Sequence, residues 1–155
     1  MTQVTKRLKR GLLFSLLSLI AAAYLHAAEN SPQAVLVKIE TILASNQSGD
    51  FDSRLKALEK QLRVLKYRSY RLLKEETKNV PSRGSASFDI PGGRSLIVSP
   101  QDSNNQQVAL KVRLQGAQKP LVDTTIRLAN KGNFILGGPP HEGGVLVLSI
   151  SATTQ

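Results

Sequence analysis

The chain has 155 residues and a formal net charge of +10, with 21 Lys and Arg against 11 Asp and Glu. It contains no cysteine, which excludes disulfides, a thiol nucleophile and a lipid-modified cysteine anchor. Because disulfides are absent, a chain of this size must be held together by its hydrophobic core alone.

The first 28 residues have the three-part pattern of a secretory signal peptide. A basic stretch precedes an apolar run from about Gly11 to Tyr24, and small residues follow, so we expect cleavage after Ala27 or Ala28. The pattern predicts an exported protein, periplasmic or extracellular, with a single domain over residues 29–155. The alternative is a retained N-terminal membrane anchor, since the apolar run is near the lower limit of ~17–25 residues for a spanning helix.

The positive charge of the predicted mature chain is concentrated in one segment. From Glu29 onward, 17 basic and 11 acidic residues give a net charge of +6. The segment from Arg54 to Lys78 carries nine basic and three acidic residues, so it accounts for this excess, and the remainder sums to zero. The distribution indicates an anionic partner, such as an acidic protein, lipid headgroups or a wall polymer. A solvated charged face is the simpler alternative.

The first predicted elements are a strand and a helix. Residues 34–43 are rich in β-branched side chains and predict a strand, and residues 44–50 predict a polar loop. Asp52 is then suited to cap one amphipathic helix over about 53–65. Four leucines recur at helical spacing and are expected to pack into the core: Leu55, Leu58, Leu62 and Leu65.

The polar face of this helix and the residues after it form the candidate partner-binding segment. Glu59 precedes Arg63 by four residues, the favourable orientation for a helical ion pair. Residues 67–77 predict a strand, with a continued helix and a coiled-coil seam as the alternative. Two tyrosines interleave with arginines there, and such amphipathic rings are enriched at interfaces. The candidate residues are Lys56, Lys60, Arg63, Tyr67, Arg68, Tyr70 and Arg71.

The rest of the chain is typical of a β domain. Short strands are predicted at 87–90, 94–98, 108–114, 123–129, 133–136 and 145–152, with turns or polar loops such as 100–105 between them. Together with the helix, they predict an α+β fold that is mainly antiparallel β, either a sandwich or an open barrel. The single amphipathic helix is expected to cover one face or one open end of it.

The stretch GGPPHEGG at 137–144 contains the one histidine that follows the signal-like segment. It lies between two predicted strands, so we expect a turn, with a ligand loop around His141 and Glu142 as the alternative. It lacks the Lys of a phosphate-binding P-loop, and one histidine is too few for a metal site. The sequence therefore predicts no enzyme, no metal, no cofactor and no nucleic-acid partner.

Several stretches also resemble a known layout. The segments DFDSRLKALEKQL, YRSYRLL, FDIPGGR and GGVLVLSI are similar to those of small uncharacterised exported bacterial proteins with one helix and a C-terminal β domain. In such proteins the Asp at the helix start is often followed by Pro, whereas Ser53 stands here. The resemblance implies a bacterial source and an envelope or extracellular location, and it brings no activity.

The function that these observations predict is a non-enzymatic binding or assembly module of the cell envelope. It would contact a protein or an anionic envelope component through the basic segment. Two alternatives stay open at this point: a small secreted enzyme with a site near residues 137–144, and a coiled-coil protein that binds a partner through the leucine face.

Overall fold

Two four-stranded antiparallel sheets make up the computed structural model, which describes residues 33–155. The first sheet has the order β2-β1-β8-β7 and the second has the order β3-β4-β5-β6. The strands are β1 Ala34–Ser45, β2 Ser69–Pro81, β3 Ala86–Ile90, β4 Arg94–Ser103, β5 Gln107–Gln115, β6 Pro120–Ala129, β7 Asn133–His141 and β8 Gly144–Thr154. The predicted signal peptide, residues 1–28, lies outside the described residues.

The strands follow one another as a meander that is interrupted twice. Most strands pair with the next one along the chain, and β8 returns to pair with β1. No ladder joins β2 to β3 or β6 to β7, so the described strands form a sandwich rather than a closed barrel. The predicted α+β fold, mainly antiparallel β with one short helical segment, is confirmed.

Both sheets contribute to the core because their strands alternate in hydrophobicity. The strand predicted at 108–114 is confirmed as part of β5, in which every second side chain, Val108, Leu110, Val112 and Leu114, is fully buried. They pack in one apolar cluster with side chains of the first sheet, which include Val35, Val37, Ile39, Leu146, Leu148 and Ile150. This cluster occupies the space between the two sheets.

A helical segment, Ser53–Leu65, covers the other face of the first sheet. It consists of a 3-10 helix, Ser53–Leu58, a short α-helix α1, Glu59–Leu62, and a second 3-10 helix, Arg63–Leu65. As predicted, Asp52 caps its start, since Oδ1 accepts a hydrogen bond from the Arg54 N–H at 3.1 Å. Three leucines pack into a second cluster against that face: Leu55, Leu58 and Leu62 with Ile42, Tyr70, Leu72 and Val147.

The prediction that Leu65 packs into the core is wrong, since this side chain is 37% exposed. At Arg63 the segment changes from an α-helix to a 3-10 helix. Lys66 then adopts a left-handed backbone with φ of 61° and ends the segment. Leu65 is the last residue of the segment and is not part of the second cluster, so it stays exposed where the segment ends.

The coiled-coil alternative is excluded by the same region. Leu55 and Leu62 are fully buried in the chain's own second cluster, so they offer no seam to a partner. Residues 69–81 form β2, in agreement with the strand predicted over 67–77 and not with a continued helix.

Two predicted loops are largely strand. Residues 137–141 belong to β7, and only Glu142 and Gly143 turn, with φ of 44° and 74°. Two successive residues with positive φ are typical of a type I′ hairpin turn. The adjacent prolines at 139–140 are tolerated because β7 is an edge strand and because its pairing with β8 is irregular there, with a register shift between Gly137 and Pro140. Residues 100–103 likewise continue β4.

Candidate functional site

Five of the nine basic residues in the segment 54–78 form ion pairs with four acidic side chains, because Glu76 pairs with two lysines. The pairs are Arg54–Asp52 at 2.6 Å, Arg63–Glu59 at 2.7 Å, Arg71–Glu142 at 4.0 Å, Lys74–Glu76 at 2.8 Å and Lys78–Glu76 at 3.0 Å. The predicted ion pair between Glu59 and Arg63 is thereby confirmed. Arg63 is further held by the ring of Phe51, whose centroid lies 5.4 Å from the guanidinium carbon.

Lys74 and Lys78 link β2, an edge strand of the first sheet, to β3, an edge strand of the second sheet. Lys74 Nζ donates to the carbonyl of Asp89 at 3.4 Å, and Lys78 Nζ donates to the carbonyl of Ser87. Both carbonyls belong to the edge strand β3, so the lysines occupy acceptors that no strand pairs. Glu76 lies between the two lysines, and hydrogen bonds from Lys74 and then Lys78 lower its pKa.

The four remaining cations of the segment are called the basic surface here: Lys56, Lys60, Lys66 and Arg68. All four side chains are exposed, and within residues 33–155 no carboxylate oxygen lies within 4.0 Å of their charged nitrogens. Three of them are predicted candidates, and Lys66 was missed. Its special position at the end of the helical segment follows from a left-handed backbone that no residue pattern indicates.

The two predicted tyrosines lie in the second cluster rather than on the surface. Tyr70 is 1% exposed; its hydroxyl donates to the carbonyl of Leu62 at 2.5 Å and accepts from the N–H of Tyr67 at 3.2 Å. Tyr67 is half-buried and packs edge-to-face on Tyr70 with ring centroids 6.4 Å apart. Neighbouring residues of a strand point to opposite faces, so Tyr70 lies beneath the helical segment while Arg71 is exposed.

Two exposed apolar side chains stand among the cations of the basic surface. Val64 is 73% exposed and Leu65 is 37% exposed. Lys60 lies four residues before Val64, which makes the two side chains neighbours on a helix, and Lys66 follows Leu65 directly. The sequence pattern did not indicate this apolar pair, because it assigned Leu65 to the buried face.

A second group of exposed cations lies on and beside β5 and β6. Lys111 and Arg127 project from neighbouring strands, since Lys111 pairs with Thr125 and Ala109 pairs with Arg127. This group was not identified from the sequence, because the net charge of residues 29–155 outside 54–78 is zero when acidic residues elsewhere are counted with it. Charge alone therefore does not distinguish the basic surface, whereas the 73% exposure of Val64 does, since Leu121 beside Lys119 is only 40% exposed.

A cleft of about 500 Å³ opens between the loop after β1, the start of β2 and the β7–β8 turn. Its polar lining includes Ser45, Gln47, Asp50, Arg71 and Glu142. The fold thus brings Arg71 and Glu142 together, although the sequence placed them in separate candidate sites. His141 lies at the same turn, with Nε2 3.6 Å from Glu142 Oε1.

The carboxylate of Asp52, which also lines this cleft, has a structural role as a hydrogen-bond acceptor. The hydrogen bond from the Arg54 side chain, with backbone N–H donors of Arg54 and Leu72, holds the pKa of Asp52 well below its ordinary range. Asp52 therefore stays ionised as a cap and is a poor proton donor or acceptor at neutral pH. Among the described residues, no group of three or more His, Asp or Glu side chains is placed to hold a metal ion.

From Gln33 to Gln155 no helix has the length and hydrophobicity required to span a bilayer.

No protein-family model matches the chain, and no curated protein does. Among solved structures, the chain is similar to the T2SS secretin XcpQ from Pseudomonas aeruginosa, known from a cryo-EM structure, with 11% identity and a TM-score of 0.48. The match covers 89% of this chain and 63% of the secretin chain, so this chain spans less than two thirds of the secretin. A similarity at this level transfers no activity, partner or location.

Proposed function

We propose that the chain is an exported, non-enzymatic binding module of the bacterial cell envelope that contacts an anionic partner through the basic surface. One observation carries the proposal: exposed cations without an acidic partner in residues 33–155 flank the exposed pair Val64 and Leu65 along the chain. Export is inferred from the signal-like pattern of residues 1–28, which precede the described part of the chain.

The electrostatics of the basic surface favour recognition over stabilisation. Its four cations are exposed and make no ion pair with described residues, so they contribute little to holding the fold together. They remain available to an approaching anionic surface, with a range near the Debye length of ~8 Å at physiological salt. Binding should therefore weaken as salt rises.

The enzyme alternative near residues 137–144 is less well supported. Most of that stretch is strand, and its turn presents Glu142 towards Arg71 at 4.0 Å rather than towards a nucleophile. Asp52 in the same cleft is fixed as a helix cap. If His141→Ala abolished an activity without changing stability, the enzyme alternative would be favoured instead.

A pair of charge variants tests the proposed function. Retention on immobilised polyglutamate is measured at low and moderate salt for the wild type and for two variants in which four cations become Gln. The first variant changes Lys56, Lys60, Lys66 and Arg68, and the matched control changes Lys111, Lys119, Arg127 and Lys131. All eight side chains are exposed, and both variants lose the same charge.

We expect the first variant to elute at clearly lower salt than the control, because local charge rather than net charge governs the contact. Far-UV circular dichroism verifies that both variants are folded. Equal elution of the two variants would show that only net charge matters and would refute a binding site at the basic surface.

A further inference from the structure

The apolar pair Val64 and Leu65 lies where the helical segment ends. The segment stops there because Lys66 adopts a left-handed backbone, and the Lys66 N–H donates to the carbonyl of Arg63 at 3.3 Å. Val64 is the most exposed of the large hydrophobic side chains in residues 33–155, at 73%. The other leucines of the segment are buried beneath it in the second cluster, so Val64 and Leu65 are its exposed apolar end.

Cations border the apolar pair on both sides along the chain. Lys60 lies one helical turn before Val64, while Lys66 and Arg68 follow the pair within the next turn and strand start. Long cationic side chains of this kind extend their charged ends towards phosphates while their stems cover apolar surface. The arrangement combines a small apolar contact with positive charge before and after it in the chain.

We propose that this end of the helical segment docks on an anionic lipid bilayer, with Val64 and Leu65 entering the boundary between headgroups and acyl chains. Lys60, Lys66 and Arg68 would contact lipid phosphates at the same time. The inference rests on the proposed function, because it names the anionic partner that the basic surface meets.

The size and chemistry of the contact select a bilayer over other anionic partners. A stable protein interface buries ~1,200–2,000 Å² in total, far more than two side chains at a turn provide. A wall polymer supplies negative charge but no apolar phase for Val64 and Leu65. An anionic bilayer supplies both, and shallow insertion of apolar side chains combined with lysine contacts is a general mode of interfacial binding.

The absence of cysteine allows a site-specific test. Val64→Cys is labelled with an environment-sensitive fluorophore, and Leu121→Cys serves as the matched control, because Leu121 is also exposed (40%) but lies on β6. Each labelled protein is mixed with vesicles of phosphatidylglycerol and phosphatidylcholine, with vesicles of phosphatidylcholine alone, and with soluble polyglutamate. A local label reports its own surroundings even if residues 1–28 are retained and contact the bilayer.

We expect a blue shift and higher emission for the label at position 64 with the anionic vesicles only, and no shift for the label at position 121. In unlabelled protein, Val64→Ser/Leu65→Ser should weaken partitioning onto these vesicles by about tenfold or more relative to Leu121→Ser. Each of Lys60→Gln and Arg68→Gln should weaken it by about fivefold.

The outcomes separate this inference from the proposed function. Binding to polyglutamate and to anionic vesicles without a shift at position 64 would overturn the bilayer inference and leave the proposed function standing. A shift with polyglutamate as well would indicate an acidic polymer or protein as the partner and would also overturn it. Failure to bind either anionic partner would overturn both.

Discussion

The substitution Tyr70→Phe tests how the helical segment is held on the first sheet. The Tyr70 hydroxyl is buried and donates to the carbonyl of Leu62 at 2.5 Å, at the C-terminal end of α1. It also accepts from the N–H of Tyr67 at 3.2 Å. Phenylalanine keeps the ring in its cluster and removes only this connection between the helical segment and β2.

The expected cost follows from the two partners that lose their bond. Leu62 is fully buried, so water does not replace the hydroxyl donor that its carbonyl loses, at a cost of ~1–3 kcal/mol. Tyr67 is half-buried, so water can partly satisfy its N–H and the second loss is smaller. We therefore expect Tyr70→Phe to lower the free energy of unfolding by about 2 kcal/mol.

Urea unfolding followed by far-UV circular dichroism measures this change. With a slope of ~1–3 kcal/mol per molar urea, the midpoint should fall by about 1 M. Tyr67→Phe is the matched control, because Tyr67 supplies its ring and its backbone N–H to this network. A Tyr70→Phe midpoint equal to that of the wild type would refute the argument that this hydroxyl anchors the segment.

Three further predictions concern the same regions. In thermal or urea unfolding, Leu62→Ala should cost ~2–5 kcal/mol because Leu62 is fully buried, whereas Leu65→Ala should cost less than ~1 kcal/mol; similar costs would contradict the assigned burial. Glu142→Asn should stabilise the β7–β8 turn by ~0.5–1 kcal/mol, because asparagine tolerates positive φ better; a lower melting temperature would show that the contact with Arg71 matters more. The lowered pKa of Asp52 means that its ionised form stabilises the fold above the ordinary value of 3.8, and that this contribution is lost as the pH falls through the lowered pKa. Unfolding measured from pH 5 downward should therefore depend less on pH in Asp52→Asn, and an unchanged pH dependence would contradict this role.

Part of the candidate site could be predicted because it depends on neighbours along the chain. The ion pair of Glu59 with Arg63 joins residues one helical turn apart, and the cap by Asp52 joins residues two apart. Exposure of Lys56 and Lys60 follows from their place opposite the leucines. The cleft could not be predicted, because Arg71 and Glu142 are far apart in the chain and meet only through the pairing of distant strands.

The sequence by itself determined the fold class, since alternation and helical spacing record locally which side of an element faces apolar surroundings. It also determined the start of the helical segment, through the cap at Asp52. Only the tertiary structure decided that Tyr70 lies inside and Leu65 lies outside. The exposure of either side chain depends on what packs over it: the helical segment covers Tyr70, whereas Leu65 is at the end of the segment and outside the second cluster.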